Sequence, residues 1–408
     1  MTDENRILIA GAGPVGMISG YYLARHGIPV TVFDALEATP SDHRASTVHP
    51  STLDMLAPLG MAERLIPMGL ISPVFQFRDR VSDSIVAEFD YGLIGDETDH
   101  PFALQVEQHK VINVAHDLAS ALPDFTLLRG HTLTGLAQDA DGVTVTVRGP
   151  DGTEAPHRGR FLMGCDGGRS ETRKALGIDF PGFTWPERFI ISTTEYDFGE
   201  EAKGGYAYRS YVAHPDQWCA LIKVAGDDMR GLWRVLLPAT GEEPDEVVQG
   251  EDWVQDKLRD CLPQGAPYDI QHRNLYHVHQ RVAESFRAGR VLLAGDSAHV
   301  NNPLGGMGMN GGIHDGMNAA EKLVRVWRGE ADADAELARY DRQRRPMATK
   351  FVQAQSIRNK EILQEKDGPD RRAKLDELAA TAEDPARCRP YLLNASLISM
   401  VREADATA

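Results

Sequence analysis

Glycine-rich segments hold the residues whose types and spacing could do chemistry in this 408-residue chain. The first segment, Gly11 to Gly16, lies between an apolar strand and a helical stretch, and Asp34 ends the next expected strand. Glycines in such a turn let the backbone approach a pyrophosphate at the helix N-terminus, and the acid accepts hydrogen bonds from a ribose. The pattern predicts dinucleotide binding, and a tight turn with no ligand is the alternative.

Two further segments lie at the ends of apolar strands. Residues Gly164 to Arg173 open another expected helix, although taken alone they could be a turn with an N-capping serine. Residues Gly295 to Gly312 carry Asp296 directly after the apolar strand Val291 to Ala294. The free N–H groups and dipole at the start of the following helix can stabilise negative charge on a ligand. A flexible loop is the alternative there, but the preceding strand would bury the turn against a sheet.

The composition fits a globular protein of two or three domains, with 42% hydrophobic and 25% charged residues. The net charge of −17 argues against non-specific nucleic-acid binding. No apolar run approaches the ~18 to 20 residues of a transmembrane segment, and the N-terminus lacks the pattern of a secretory signal. We therefore expect a cytoplasmic protein. The four cysteines form no CxxC pair, so neither a zinc ribbon nor a disulfide framework is predicted.

Hydrophobic periodicity divides the chain into regions. Residues 6–34 alternate strand and helix as a βαβ unit, and residues 125–164 carry strand patterns with turn signals that suit antiparallel hairpins. Runs of β-branched and aromatic residues within 189–238 predict a separate mixed sheet. The tail after Ala335 is charged and helical, with breaks near Gly368 and Pro385, and it could pack on the first domain or form a homodimer contact.

Taken together, the three glycine-rich segments resemble the fingerprints of the single-component FAD-dependent aromatic hydroxylases, the family of 4-hydroxybenzoate hydroxylase and salicylate hydroxylase. The likeness covers roughly residues 6 to 350. It implies an α/β fold: a Rossmann-type FAD-binding domain, an inserted mixed β-sheet substrate domain and a helical C-terminal tail. We expect the FAD-binding domain to comprise residues 1–72, 100–180 and 276–350, the substrate-binding domain residues 73–99 and 181–275, and the C-terminal helical segment residues 351–408.

The resemblance also implies an activity. Such a monooxygenase consumes NADH or NADPH as a transient co-substrate and inserts one oxygen atom of O₂ into an aromatic or phenolic substrate through a C4a-hydroperoxyflavin. The single dinucleotide turn agrees, because members of this family bind the nicotinamide coenzyme without a second Rossmann domain.

The resemblance assigns FAD contacts to matched positions. The first segment would cradle the FAD pyrophosphate through Gly11, Gly13, Pro14, Val15 and Gly16. Asp34 would hold the adenosine ribose, and Arg44 would contact the phosphate and adenosine portion unless it is only a surface charge. The remaining matched positions, which would contact the ribityl chain, the flavin ring or the nicotinamide-linked region, are Gln105, Asp166, Gly167, Arg173, Asp296, Gly306, Gly308, Met309 and Asn310.

Three residues are expected to act near the reacting face of the flavin. Pro303 would sit close to that face, and Arg234 matches a strand arginine that assists flavin reduction, with a sheet-surface arginine as the alternative. Asn302 lies in an approach to Pro303 that is more apolar or contains proline in relatives. The chain also departs from many relatives at Asp34-Ala35, where an acid followed by arginine would give one more adenosine contact.

The substrate pocket is expected between the flavin and the sheet of residues 181–275. Aromatic rings would suit a planar substrate, and a basic side chain could meet a carboxylate. Each candidate could instead be an ordinary sheet residue; the candidates are Tyr206, Tyr208, Arg209, Tyr211, His214 and Trp218.

Other functions stay open. Some members of this family oxygenate larger natural-product or CoA-linked intermediates, including ones on the way to tropolones. A flavoprotein reductase or oxidase without oxygen insertion, or a flavin-holding sensor that sequesters an aromatic ligand, would share the same cofactor site. A flavin-dependent halogenase is disfavoured, because Thr184-Trp185-Pro186 does not match the Trp-x-Trp-x-Ile-Pro signature of those enzymes.

Overall fold

The structure is a computed structural model that describes residues 4–41, 45–200, 205–262, 267–366 and 368–408. Within these ranges the first sheet has six strands: β1 (Ile7–Ala10), β2 (Val30–Asp34), β8 (Phe125–Arg129), β12 (Phe161–Gly164), β18 (Arg287–Ala288) and β19 (Val291–Leu293). Their spatial order is β18-β19-β12-β1-β2-β8, and all neighbours are parallel except β18 and β19. The central strands are continuous apolar runs, because a parallel sheet is covered on both faces.

The other described strands form three sheets. A small antiparallel sheet contains β9 (Thr132–Gln138), β10 (Val143–Arg148) and β11 (Glu154–Gly159). A second small sheet contains β3 (Thr47–Val48), β4 (Leu70–Ser72) and β7 (Ala103–Gln105). The large mixed sheet has eight strands: β5 (Val74–Asp79), β6 (Ser84–Asp90), β13 (Gly182–Thr194), β14 (Arg209–Ala213), β15 (Cys219–Val224), β16 (Leu232–Ala239), β17 (Ile270–Val282) and β20 (His299–Val300). Its spatial order is β20-β17-β13-β16-β15-β14-β5-β6.

Helices connect and cover these sheets. Those before residue 330 are α1 (Pro14–Arg25), α2 (Pro50–Leu56), α3 (Ala62–Leu65), α4 (Gln108–Ser120), α5 (Glu171–Ala175), α6 (Asp245–Val248), α7 (Glu251–Cys261) and α8 (Met307–Trp327). The tail contains α9 (Ala333–Met347), a π-helical turn (Ala348–Gln353), α10 (Ala354–Gln364), α11 (Gly368–Glu383), α12 (Pro385–Ala395) and α13 (Ile398–Ala406). Short 3₁₀ turns are Ala57–Leu59, Ile66–Met68, Tyr91–Ile94 and Gly295–Ser297. No helix within the described ranges is long and apolar enough to cross a membrane.

The first sheet is buried on both faces. Successive side chains of a strand point to opposite faces. Ile7 and Ile9 of β1 therefore pack against α1, α4 and α8, whereas Leu8 and Ala10 pack against the small antiparallel sheet β9 to β11. This three-layer arrangement holds the carboxyl ends of β1, β12 and β19 side by side.

The eight-stranded sheet also has two covered faces. On β13, Ile190 faces a core that includes α7, while its neighbours Phe189 and Ile191 face a core formed with α10, α11 and α12. The C-terminal helices therefore pack on the substrate sheet, and strand β20 brings the third glycine-rich segment to the edge of the same sheet.

The helical spacing of the apolar residues from Thr52 to Met68 predicts one helix, but the structure divides this stretch between α2, a 3₁₀ turn, α3 and a second 3₁₀ turn. Pro58 cannot donate a backbone hydrogen bond, and Gly60 is left-handed with φ 69°. The Rossmann-type α/β architecture, with its mixed sheet and helical tail, is as expected. The domain boundaries stay a prediction.

Candidate active site

The first glycine-rich turn has no room for a side chain at Gly11 or at Gly16. Gly11 has φ 99°, and a Cβ there would lie 2.3 Å from the carbonyl oxygen of Cys165. A Cβ on Gly16 would lie 1.9 Å from the carbonyl oxygen of Gly11. A Cβ on Gly13, the N-cap of α1, would meet nothing within 4 Å. The open side of the turn is therefore at Gly13, next to the N-terminus of α1.

Asp34 lies beside this turn at the end of β2. Its Oδ2 accepts a hydrogen bond from the backbone N–H of Ala12 at 2.6 Å, and its Oδ1 accepts one from Leu36 at 2.8 Å. The carboxylate is thus held at the edge where a ribose would follow the pyrophosphate. Arg44, the other predicted adenosine contact, lies outside the described residues.

Asp166 lies near the start of the second glycine-rich segment, and hydrogen bonds within the segment hold its carboxylate. Its carboxylate accepts hydrogen bonds from the Ser170 hydroxyl at 2.5 Å and from the backbone N–H and hydroxyl of Thr172, both at 2.9 Å. Ser170 caps α5 by accepting from the N–H of Arg173 at 2.9 Å, so the capped turn considered as an alternative is present. Gly167 has φ 78° and open space around its Cα. A direct role of Asp166 and Gly167 toward a cofactor stays a prediction.

Arg173 links the second glycine-rich segment to the third through a hydrogen bond. Its guanidinium donates to the carbonyl oxygens of Ser297 at 2.8 Å and Gly168 at 2.9 Å, and it lies over the ring of Phe180. Asp296, one residue before Ser297, is exposed at the same edge.

All three segments meet at the carboxyl edge of the first sheet. Cys165 donates its N–H to the carbonyl of Ala10 at 2.7 Å, and Ala294 donates to the carbonyl of Gly164 at 3.0 Å. Ligands of open α/β sheets bind outside the carboxyl ends of the strands. The structure therefore brings the three sequence segments into one crevice.

Asn310 links the first turn of α8 to the sheet formed by β3, β4 and β7 through hydrogen bonds. Its Nδ2 donates to the carbonyl oxygens of Thr47 at 2.8 Å and Gly306 at 2.7 Å, and its Oδ1 accepts from the N–H of His49 at 2.9 Å. The Thr47 hydroxyl donates to Gln105 Oε1 at 2.8 Å. The buried Nε2 of Gln105 has no hydrogen-bond partner among the described residues, so this amide keeps spare donors for a ligand.

His49, whose backbone N–H donates to Asn310, has a neutral side chain. Burial, with a smaller effect of Arg209, lowers the pKa of His49 to about 3, against a raising effect of its hydrogen bond to Gly305. Its Nε2 lies 2.8 Å from the carbonyl oxygen of Gly305. A carbonyl only accepts hydrogen bonds, so Nε2 carries the proton. His49 thereby fixes the loop that precedes α8.

The predicted catalytic residues lie around this loop and on the large sheet. Pro303 is exposed, and Asn302 is buried with its Oδ1 accepting from the N–H of Leu304 at 3.1 Å. Arg234 is buried in β16, on the same face of the sheet as Leu236. The contacts of Asn302 explain the shape of the loop, while the catalytic roles of these residues stay predictions.

An aromatic cavity lies where the large sheet meets the loop before α8. The empty space between its walls is about 210 Å³, part of it open to solvent. Its wall is formed by Phe75, Phe77, Arg209, Tyr211, Gly305, Met307, Gln355, Asn359, Tyr391 and Ala395. The rings of Phe77 and Tyr211 are stacked with centroids 4.8 Å apart. The cavity therefore offers flat apolar surfaces directly beside the third glycine-rich segment.

The cavity contains two of the six predicted pocket residues, Arg209 and Tyr211. Tyr206 and Tyr208 pack against the core on the opposite face of the sheet. Tyr208 still accepts a backbone hydrogen bond from Lys223 of β15 at 2.8 Å, so the alternation of side chains places it opposite Arg209. Trp218 packs edge-on against Phe189. His214 closes a turn, with its Nδ1 accepting from two backbone N–H groups.

The other wall residues lie outside the predicted set. Phe75 and Phe77 are two residues apart on β5, so the period-2 spacing of apolar residues is the signal that could identify them. Gln355, Asn359 and Tyr391 come from the C-terminal helices, and no sequence pattern connects these helices to the sheet.

A larger cavity of about 990 Å³, much of it open to solvent, lies further along α8. Its wall is mostly polar and charged, and includes Asp54, Glu97, Glu321, Arg402 and Asp405. It lies beside His314, Asn318 and Glu321 of α8 rather than beside the loop at Gly305. Of these two cavities, the smaller one offers aromatic surfaces.

Replacing Asn310 with aspartate is expected to reduce the free energy of unfolding by about 1–3 kcal/mol, because an oxygen would then face the carbonyls of Thr47 and Gly306. Chemical denaturation measures this change. Asn394→Asp is the control, since Asn394 is exposed on α12 and the new carboxylate would be hydrated. Equal effects of the two substitutions would contradict the role assigned to Asn310.

The residues at the crevice fit FAD. Gly11 and Gly16 permit the tight turn, Gly13 leaves open space at the helix N-terminus, and the buried Nε2 of Gln105 has an unused donor. The first turn of α8 contains no acidic residue, so its free N–H groups face a ligand without a competing carboxylate.

Comparisons with known proteins agree with this geometry. The family model described as FAD binding domain matches residues 4–355. The para-nitrophenol 4-monooxygenase of Pseudomonas sp. (strain WBC-3) is 32% identical over 399 residues, which cover 97% of this chain and 96% of that protein. The pentachlorophenol 4-monooxygenase of Sphingobium chlorophenolicum is 29% identical, and the match covers 85% of this chain and 63% of that protein.

A solved structure supports the same assignment. The crystal structure of p-nitrophenol 4-monooxygenase from Pseudomonas putida DLL-E4 matches with a TM-score of 0.91 at 28% identity, and the match covers 99% of both chains. The similarity thus includes the C-terminal helices as well as the two sheets. The chain belongs to the family of FAD-dependent aromatic monooxygenases.

Proposed function

We propose that this monooxygenase inserts one oxygen atom into a single-ring phenol held in the aromatic cavity, with NADH or NADPH as the reductant. The observation that carries the proposal is the composition of the cavity wall. Gly305 and Met307 come from the segment matched to the flavin site, and Phe75, Phe77 and Tyr211 come from the large sheet. A ring in this cavity would lie between the cofactor site and the sheet.

The relatives favour a small phenol. Two of the relatives act, by their names, on para-nitrophenol and on pentachlorophenol. We therefore place natural-product and CoA-linked substrates second.

The residues of the crevice would hold FAD along the carboxyl edge of the first sheet. The turn at Gly11, Gly13 and Gly16 would receive the pyrophosphate, and Asp34 would receive the adenosine ribose. Gln105 and Asp296 would contact the ribityl region. FAD, when bound, carries electrons from the nicotinamide coenzyme and activates O₂.

The chain's own residues would position the ring and stabilise charge. N–H groups at the start of α8, near Met309, would stabilise negative charge on the flavin ring. Pro303 and Asn302 would shape the approach to the reacting face, and Arg234 would assist reduction from the sheet. Met307 and Tyr391 line the cavity and would pack against a bound ring, which would limit the access of water.

The nicotinamide coenzyme would bind transiently. The chain has a single glycine-rich dinucleotide turn, and Asp166 with Arg173 forms the other candidate contact region. A homodimer and a cytoplasmic location stay predictions.

The proposal is tested by steady-state turnover of the FAD-loaded protein with NADH and NADPH across a panel of substituted phenols. Coenzyme oxidation, O₂ uptake, peroxide and product mass are recorded together. We expect a phenol-stimulated rate and a product heavier by one oxygen atom, with little peroxide. Coenzyme oxidation that yields only peroxide with every phenol would contradict oxygen insertion and favour an oxidase.

A further inference from the structure

Arg209 is a buried cation in the wall of the aromatic cavity. It is 3% exposed and lies on β14. Its Nη2 donates to the Tyr91 hydroxyl at 2.6 Å. Its Nε and Nη1 have no hydrogen-bond partner in the part of the chain that the structure describes. An arginine carries five N–H donors, so this side chain has unused donors in a place that water hardly reaches.

Two other buried arginines are paired with acids, whereas the buried Arg173 donates to backbone carbonyls. Arg344 donates to Asp315 at 2.7 Å, and Arg188 donates to Asp245. Among the ion pairs of the described residues, none includes Arg209. A buried charge without a counter-ion is costly. Because two nitrogens of Arg209 also lack hydrogen-bond partners among the described residues, an anionic ligand in the cavity would supply both the counter-charge and the acceptors.

Aromatic rings compensate for part of this cost. The guanidinium carbon lies 4.3 Å from the ring centroid of Phe75 and 5.7 Å from that of Tyr91. A cation over an aromatic face is stabilised by the ring quadrupole. This contact holds the guanidinium against the cavity wall but leaves the charge itself unneutralised.

We propose that Arg209 binds a negatively charged oxygen on the substrate ring, either a phenolate or a ring-attached carboxylate, and thereby makes the enzyme selective for anionic aromatics. The inference rests on the proposed function, because it places the substrate in the same cavity. Charge-assisted hydrogen bonds from an arginine to an anionic oxygen are among the strong ones in proteins.

The titratable groups facing Arg209 do not supply the negative charge. They are Tyr91, Tyr211 of β14, Tyr391 of α12 and His49 before α2. Burial raises the pKa of Tyr211 and of Tyr391, so both hydroxyls stay neutral. His49, with its pKa lowered to about 3 mainly by burial, is neutral as well. Near neutral pH the affinity for a phenol should therefore follow the ionisation of the ligand.

The test measures ligand binding to the FAD-loaded protein from the change in flavin absorbance, without turnover. Benzoate is compared with benzamide, and 4-nitrophenol, above and below its own pKa, with 4-nitroanisole. We expect the wild type to bind at least one of the two anions about 10-fold to 100-fold more tightly than its neutral partner. The two ligand pairs distinguish a carboxylate from a phenolate.

Substitutions assign this preference to Arg209. Arg209→Gln is expected to remove it by weakening the anion while leaving the neutral ligand nearly unchanged, and Arg209→Lys should keep part of it. Arg188→Gln removes another buried arginine of the large sheet and should leave the preference intact. If Arg209→Gln does not fold, the comparison is made with Arg209→Lys alone. Equal affinities in the wild type, or an undiminished preference in the Arg209 variant, would overturn the inference.

Product analysis with the same ligands separates the two proposals. Oxygenation of phenols without any charge preference would defeat the role of Arg209 and leave the proposed function standing. A charge preference that depends on Arg209, without oxygenation of any ligand, would defeat the proposed function alone.

Discussion

Replacing Gly13 with alanine will weaken FAD binding by about 10-fold to 100-fold, because the new Cβ would occupy the space that the pyrophosphate needs at the helix N-terminus. The apoprotein should tolerate the change. Gly13 has φ −69° and ψ −178°, which alanine adopts readily, and its Cβ would meet nothing within 4 Å. We expect the free energy of unfolding of the apoprotein to change by no more than about 1 kcal/mol.

Fluorescence titration of the apoprotein with FAD measures the first effect, and urea denaturation measures the second. Gly368→Ala is the matched control, since a Cβ there also meets nothing within 4 Å and the site is remote in sequence from the turn. Gly16→Ala, by contrast, should destabilise the fold itself, because its Cβ would lie 1.9 Å from a carbonyl oxygen. Wild-type FAD affinity in Gly13→Ala would show that the pyrophosphate binds elsewhere.

Replacing Asp315 with asparagine should reduce the free energy of unfolding by about 3–5 kcal/mol, since it leaves a buried arginine without its counter-ion. Asp315 is fully buried in α8. Its Oδ1 accepts from Arg344 at 2.7 Å, and its Oδ2 accepts from His299 at 2.8 Å. The network fixes the helix whose N-terminus faces the cofactor crevice.

The same carboxylate predicts a dependence of stability on pH. Burial alone would raise the pKa of Asp315, but Arg344 and His299 lower it below the usual range. The folded protein therefore gains stability from this group at pH values above the unfolded pKa, and it loses that stability as the pH falls through the folded pKa. Denaturation across the acidic range should show a flatter profile for Asp315→Asn than for the wild type.

An exposed ion pair provides the control for this prediction. Glu403 accepts from Lys350 at 2.5 Å, and both side chains are more than one third exposed, at 39% and 59%. Glu403→Gln should change the free energy of unfolding by no more than about 1 kcal/mol. A similarly small effect of Asp315→Asn would mean that the buried network does not stabilise the fold.

The cofactor crevice could be predicted from the sequence because its requirements are local. Gly11 and Gly16 are needed by backbone geometry within one turn, and the following helix and the acid at Asp34 have fixed spacings. The meeting of the three segments follows from the parallel strands that precede them, whose carboxyl ends share one edge. The resemblance then supplied the cofactor and the type of reaction.

The aromatic cavity could be predicted only in part. Arg209 and Tyr211 are two residues apart on one strand and therefore share a face, but the pattern does not say which face meets the loop before α8. Tyr208, one residue before Arg209, points to the opposite face. Asn359 and Tyr391 reach the cavity through long-range packing of α10 and α12, which depends on how the tail folds back over the sheet. Helical periodicity predicts these helices without predicting their neighbours.

The most direct test of the central claim is a crystal structure of the FAD-loaded protein with a bound phenol. We predict that the phenol ring lies between Tyr211 and the loop at Gly305, with its oxygen within hydrogen-bond distance of Arg209. A ring bound instead in the charged cavity beside Glu321, or in no contact with the loop at Gly305, would contradict the placement of the active site.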